Sequence, residues 1–172
     1  MNPTVAPAKP TTALYTPEQR ARRDATRWTL VQGVLAPLQF LVFAVSLGLV
    51  LRYLATGEGL AWASASVVVK TLVLYAILVT GCIWEMVVFD RYLFAPAFYW
   101  EDVFSMAVLA LHTAYLVLLW DGRATPLTLM GVALAAYAAY VINATQFLLK
   151  LRAARRQETA AAPGAVMVGG AL

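Results

Sequence analysis

The chain has 172 residues, of which 62% are hydrophobic and 13% are charged, and its mean hydropathy is +0.72. So few charged side chains cannot cover a water-soluble domain of this length, so the composition excludes that class and predicts an integral membrane protein. The net charge of +4 does not indicate a nucleic-acid partner, because the lysines and arginines concentrate near the two ends of the chain.

Both ends of the chain are expected to lie outside the membrane-spanning part. Residues 1–15 are rich in Pro, Thr and Ala and are expected to form a disordered tail, and residues 152–172 form a basic, then Ala/Gly-rich tail. Thr16 and Pro17 have the chemistry of a helix start. We therefore predict a basic helix over 16–27 that lies along the lipid headgroups.

Four apolar segments are each long enough to cross a hydrocarbon core of about 30 Å as a helix. They cover residues 28–54, 61–89, 98–120 and 126–151. The predicted fold class is therefore all-α, a four-helix transmembrane bundle. The single Cys82 lies within the second segment, so an intramolecular disulfide is excluded.

The distribution of basic residues predicts the orientation of the bundle. The loops on one side contain only Arg52 and Arg123. The other side holds most of the basic residues: Arg20, Arg22, Arg23, Arg27, Arg91, Lys150, Arg152, Arg155 and Arg156. The positive-inside rule then places both termini and the central connection in the cytoplasm, in an inner (cytoplasmic or intracytoplasmic) membrane.

The central connection between the second and third spans is the first candidate site. Its sequence is WEMVVFDRYLFAPAFYWEDVFSM, and it places Glu85, Glu101 and Asp102 just inside the facing ends of two apolar spans. Carboxylates are costly in that position and are functional candidates by default. The alternative is that they are interfacial carboxylates hydrated at the headgroups. The many aromatic residues between them are typical of a membrane interface.

Other polar residues can be assigned to depths, because a helix rises 1.5 Å per residue. Gln32, Asn143 and Gln146 fall near the same cytoplasmic level as the three carboxylates, and a stripe of small residues from Gly131 to Asn143 is expected to face the bundle interior. Lys70 and His112 meet at another level. Glu101 and His112 share one helix face but lie roughly 16 Å apart along it, so only a large, flat ligand would reach both.

Each of these residues also has a structural interpretation. For His112 the structural alternative is a hydrogen-bonding residue. For Lys70 it is a side chain that extends its ammonium group toward the outer interface. The Gln and Asn side chains are open to a role in holding helices together. One histidine and one cysteine are too few for a zinc site or for a haem with two axial histidines.

Three long segments resemble the 3-vinyl (bacterio)chlorophyllide hydratase family. They are WTLVQGVLAPLQFLVFAVSLGLVLRYL (28–54), FAPAFYWEDVFSMAVLALHTAYL (94–116) and AAYAAYVINATQFLLKLR (135–152), and the resemblance covers about residues 15–155. It implies an enzyme of bacteriochlorophyll synthesis that adds water to the C3 vinyl group of a chlorophyllide, giving a 1-hydroxyethyl group. It implies no redox cofactor and no protein-bound metal, since the magnesium belongs to the substrate.

That chemistry requires a general acid, a positioned water and a base. Glu101 and Asp102 are the first candidates for acid and base, followed by Glu85, and Asn143 or Gln32 is a candidate for orienting the water. His112 is a candidate ligand of the substrate magnesium or an acid/base. For the propionate carboxylate of the substrate, Lys70 and Arg91 are the candidate partners.

Two other classes of function remain open from the sequence. A carrier or assembly protein that binds (bacterio)chlorophyllide without chemistry would use the same histidine and aromatic residues, but it would not need the carboxylates. A small four-span transporter would usually show a repeat between the two halves, and none is visible. Four helices enclose little volume, so a chlorin is expected in a lateral cleft or at a subunit interface. The partners left open by the sequence are a second copy of the chain, in a homo-oligomer, and neighbouring pigment-synthesis enzymes.

Overall fold

The structure, a computed structural model, describes residues 14–161, with side chains described to residue 156. All the regular secondary structure in this part of the chain is α-helical, and its helices are α1 (Pro17–Ala25), α2 (Arg27–Thr56), α3 (Leu60–Phe89), α4 (Tyr99–Asp121) and α5 (Pro126–Ala161). Four of them, α2 to α5, are long and apolar enough to cross a membrane. The predicted all-α class with four spans is confirmed. Most of the two predicted tails lies outside the described residues.

The helix boundaries follow from local sequence signals. Thr16 Oγ1 accepts a hydrogen bond from the Gln19 amide at 3.2 Å, and Gln19 Oε1 accepts one from the Thr16 amide at 2.9 Å, which is a reciprocal cap. Gly57 and Gly122 end α2 and α4 with φ of 74° and 69°, a left-handed conformation that glycine adopts without strain. The Thr16-Pro17 start predicted from the sequence is therefore present.

The bundle is built from two helical hairpins. Helix α2 packs along α3, and α4 packs along α5, with smaller contacts between the two pairs. The apolar core between the hairpins includes Phe43, Val67, Val108, Met130 and Tyr137. Large apolar side chains cover the outer surface, as expected of helices that face lipid tails.

Polar residues on α2 and α4 are buried inside the bundle, and on α4 they include Glu101 and His112, which were predicted to share one helix face. On α4, Val108 and His112 are fully buried and Glu101 is nearly so. On α2, Ser46 is fully buried, and its Oγ lies 2.5 Å from the hydroxyl oxygen of Tyr137 on α5. These polar contacts join the two hairpins across the interior.

The predicted stripe of small residues on α5 is wrong at its outer end. Gly131 and Ala135 are exposed, whereas Asn143, the last member of the stripe, is buried. A step of four residues turns a helix position by about 40°, so a stripe of such steps drifts around the helix from the lipid side to the interior. The small residues that α5 buries are Ala133 and Ala136.

The N-terminal segment is more ordered than predicted at its junction with α1. Tyr15, placed in the predicted tail, is only 5% exposed, and its ring stacks on Phe89 with the centroids 5.8 Å apart. Helix α1 continues this contact, because Arg22 Nη1 lies 2.6 Å from Asp90 Oδ2 at the end of α3. Residues 14–25 therefore pack against the same end of the bundle that carries Glu85.

Candidate functional site

The connection between α3 and α4, residues 90–98, is called the central loop. Its backbone is held by carboxylates from both helices: the Phe94 amide donates to Asp102 Oδ2 at 2.7 Å, and the Ala95 amide donates to Glu85 Oε2 at 3.4 Å. Phe94 has a φ of 59°, which is unusual for a bulky residue. The hydrogen bond from its amide to Asp102 stabilises this conformation. Glu85 and Asp102 therefore hold the loop by accepting hydrogen bonds from its backbone amides.

Glu85 and Asp102 also face each other. They are 6% and 4% exposed, and their side chains lie within hydrogen-bonding reach. Ionised carboxylates only accept hydrogen bonds, so a hydrogen bond between the two requires that one carry a proton. Cys82, one turn before Glu85, lies within electrostatic reach of both groups. We call Glu85 and Asp102 the carboxyl pair.

Glu101 lies beside the pair but has a different partner. Its Oε2 is 2.5 Å from Lys150 Nζ on α5, and the same Nζ donates a hydrogen bond to the carbonyl oxygen of Ala97 in the central loop. The ammonium group also lies 5.1 Å from the centre of the Phe98 ring. The structure thus brings the three predicted carboxylates to one end of the bundle, with one of them in an ion pair.

The two candidate amides lie on different hairpins. Asn143 Nδ2 donates to Ser105 Oγ at 2.9 Å, linking α5 to α4 one turn beyond Glu101, and Asn143 Oδ1 has no hydrogen-bond partner among the described side chains. Gln32 Nε2 donates to Thr80 Oγ1 at 2.8 Å and links α2 to α3. Both amides hold helices together, and Asn143 keeps a free acceptor.

Lys70 and His112 form a second centre deep in the bundle. Both are fully buried, and Lys70 Nζ lies 3.9 Å from the centre of the Tyr140 ring. His112 Nδ1 is 2.8 Å from the Val108 carbonyl oxygen, which only accepts, so Nδ1 carries a proton, and in the neutral imidazole Nε2 then presents a lone pair. Neither Lys70 Nζ nor His112 Nε2 has a hydrogen-bond partner within the described part of the chain.

These two centres are separate. His112 lies ten residues after Asp102 on α4, or about 15 Å along the helix axis. Lys70 and His112 are within electrostatic reach of each other, as their predicted common level required, and Lys70 does not extend to the outer surface. Arg91 is an exposed residue of the central loop.

Lys150 is the site residue that sequence analysis missed. It was assigned only to the basic cluster that sets the orientation of the bundle. A signal was present, because Lys150 follows the buried Asn143 by seven residues, two helical turns, and therefore shares its face. A lysine at that position points at the level of Glu101 rather than into the headgroups.

An open apolar groove runs along α4. Its volume is about 620 Å³, and its lining is Met106, Leu109, Ala110, Thr113, Ala114, Val117 and Leu118. Met106 lies one helical turn after Asp102 on α4, and neither Glu85 nor Asp102 lines the groove itself. The groove opens to the side of the bundle. A lateral cleft was expected there, because four helices enclose little volume.

Known proteins resemble this chain over most of its length. Residues 15–153 match the family described as 2-vinyl bacteriochlorophyllide hydratase. The protein of that name from Cereibacter sphaeroides is 70% identical over 161 residues, covering 94% of this chain and 99% of the relative. Its namesake from Rhodobacter capsulatus is 63% identical over 156 residues, covering 91% of each. No solved structure matches the chain.

The hydrogen bond from Phe94 to Asp102 gives a prediction about the central loop. Asp102→Ala removes the acceptor and should speed amide hydrogen exchange in peptides that cover residues 90–98, whereas Asp102→Asn retains an acceptor oxygen and should leave the exchange nearly unchanged. Mass-spectrometric hydrogen exchange in detergent measures both. Asp121→Ala, at the opposite end of α4, is the control. Equal protection in Asp102→Ala and the unaltered protein would show that the carboxylate does not hold the loop.

Proposed function

Since this chain belongs to the 2-vinyl bacteriochlorophyllide hydratase family, we propose that it adds water to the vinyl group of a bacteriochlorophyllide within the membrane. The chain is a hydro-lyase by this membership. The vinyl group numbered 2 in the family name is the C3 vinyl of systematic numbering. The observation that supports a carboxyl mechanism is the buried Glu85–Asp102 contact, which lies one helical turn before the first lining residue of an open apolar groove.

The proposed reaction needs no change of oxidation state overall. A proton adds to the terminal vinyl carbon, which becomes a methyl group, and the positive charge that forms on the inner carbon is delocalised over the macrocycle. A water oxygen then bonds to the inner carbon, and the added water loses one proton to a base. The product is the 1-hydroxyethyl group, so the chain needs acid/base groups and no redox cofactor.

The carboxyl pair is the best placed group for both proton transfers. Glu85 and Asp102 hold a proton between them, so one donates it to the vinyl carbon while the other, ionised, receives the proton that the water loses. Glu101 adds negative charge that stabilises the cation. Glu101 was expected to come before Glu85 as acid or base, and its contact with Lys150 is the reason to reverse that order.

The groove along α4 suggests how the substrate lies. An apolar macrocycle placed against Met106 and Thr113 would bring one edge to Asp102, and Asn143 Oδ1 is a free acceptor for orienting the water. Arg91, exposed in the central loop, is available to the propionate carboxylate at the interface. His112 and Lys70 are buried and would reach the magnesium or a carboxylate only if the hairpins separate.

We also propose that the carboxyl pair faces the cytoplasmic side of the membrane. The basic residues of α1, the central loop and the end of α5 lie on that side under the positive-inside rule. A substrate that enters from the cytoplasmic interface then meets the carboxyl pair first.

Neutral replacement of the pair tests the mechanism. Glu85→Gln and Asp102→Asn keep hydrogen-bonding atoms but cannot exchange the proton, so each should lower the rate of water addition by about 10²- to 10⁴-fold. The assay incubates purified protein with the vinyl substrate and follows the hydroxyethyl product by absorbance and by the mass of one added water. Asp121→Asn is the control and should retain full activity.

The proposed acid/base role is wrong if both neutral variants keep the full rate. A protein that shifts the pigment spectrum without forming the heavier product would instead be a carrier. Normal hydrogen exchange in the central loop of Asp102→Asn separates lost chemistry from a lost fold.

The orientation of the bundle is testable with the single native cysteine removed. In a Cys82→Ser background, Glu58→Cys lies in the loop between α2 and α3, and Tyr92→Cys lies in the central loop. A membrane-impermeant maleimide added to intact spheroplasts should label Glu58→Cys at once and Tyr92→Cys only after the membrane is disrupted. The reverse pattern would place the carboxyl pair on the outer side.

A further inference from the structure

Among the described side chains, Lys150 forms an ion pair with one of the three carboxylates, that of Glu101. Its Nζ contacts Glu101 Oε2 on α4 and the Ala97 carbonyl oxygen in the central loop, and it lies within electrostatic reach of Asp102. Its side chain is 25% exposed, whereas that of Glu101 is 7% exposed. The ammonium group therefore closes the cytoplasm-directed end of the carboxylate cluster.

The contact with Lys150 matters because three carboxyl groups, rather than two, lie together at this end of the bundle. Three carboxyl groups that lie together in a poorly hydrated place disfavour one another's ionised forms, and protons are then distributed over all three. An ammonium group bound to one of them fixes that group as a carboxylate. The remaining proton then belongs to the other two.

We infer that Lys150 is a positioning residue of the hydratase, which holds Glu101 as a fixed carboxylate and so confines the mobile proton to Glu85 and Asp102. This inference rests on the proposed function. Lys150 itself exchanges no proton with the substrate. It acts through Glu101, by holding that side chain in the ionised form beside the carboxyl pair.

The groups that face this ion pair come from three elements. Helix α3 supplies Glu85, with Cys82 one turn away, helix α4 supplies Asp102, and helix α5 supplies Lys150 itself. No other contact of a basic side chain with Glu101 occurs in the described part of the chain. Removing Lys150 therefore leaves Glu101 to compete for the proton that the carboxyl pair holds.

The first test replaces Lys150 and separates kcat from KM. Lys150→Met should lower kcat by about 10- to 100-fold, the size typical of groups that orient a catalytic residue, with KM little changed. Lys150→Arg keeps the cation and should restore most of kcat. Arg152→Met, an exposed cation on the same helix, is the matched control and should behave like the unaltered protein.

The second test decides between an effect through Glu101 and an effect through the loop. Lys150 also bonds Ala97, so a purely structural role would lower activity whether or not residue 101 is charged. In a Glu101→Gln background, Lys150→Met should cause less than about a twofold further loss, because the group through which Lys150 acts is already neutral. A full additional 10-fold or greater loss would overturn the inference, as would full activity of Lys150→Met alone.

The unaltered protein is measured in the same assay. If it hydrates the substrate and Lys150→Met does so equally well, only the role of Lys150 fails. If the unaltered protein makes no hydroxyethyl product, the proposed function itself fails.

Discussion

Placing three carboxyl groups at one end of an apolar helix bundle is the constraint on which the rest of the structure depends. A charged side chain is costly within a membrane helix unless it is paired or hydrated, so three buried carboxylates without partners would disfavour this arrangement. The chain lowers that cost with local partners, which are two loop amides and one ammonium group. The central loop supplies the two amides, and α5 supplies the ammonium group of Lys150.

Under the proposed mechanism, the contacts that hold the loop also fix the positions of the acid and the base. A carboxyl group that accepts a backbone hydrogen bond has a fixed position, and a fixed acid or base needs little reorganisation when a substrate arrives. Aromatic packing adds rigidity from outside, because Phe98 contacts Trp84, Phe89 and Tyr15. Structural and functional interpretations of Glu85 and Asp102 are therefore compatible, and only variants that preserve the hydrogen bonds can separate them.

The sequence predicted the fold well because hydropathy and helical period are strong signals in a membrane protein. Four spans, the inner face of α4 and the meeting of Lys70 with His112 all followed from counting residues. The partners within the carboxylate layer did not follow, since depth alone cannot say that Glu101 turns to Lys150 while Glu85 turns to Asp102. Side-chain direction at a helix end depends on the loop conformation, here on the positive φ of Phe94, which no periodicity reports.

The most direct test of the carboxyl mechanism is an experimental structure of the protein with the vinyl substrate bound. The vinyl group should lie against Glu85 and Asp102, with a carboxyl oxygen about 3–3.5 Å from its terminal carbon, and with the macrocycle extending along α4 from Met106. A vinyl group found beside His112 and Lys70, about 15 Å farther along the bundle, or pointing into lipid away from both acids, would contradict that mechanism.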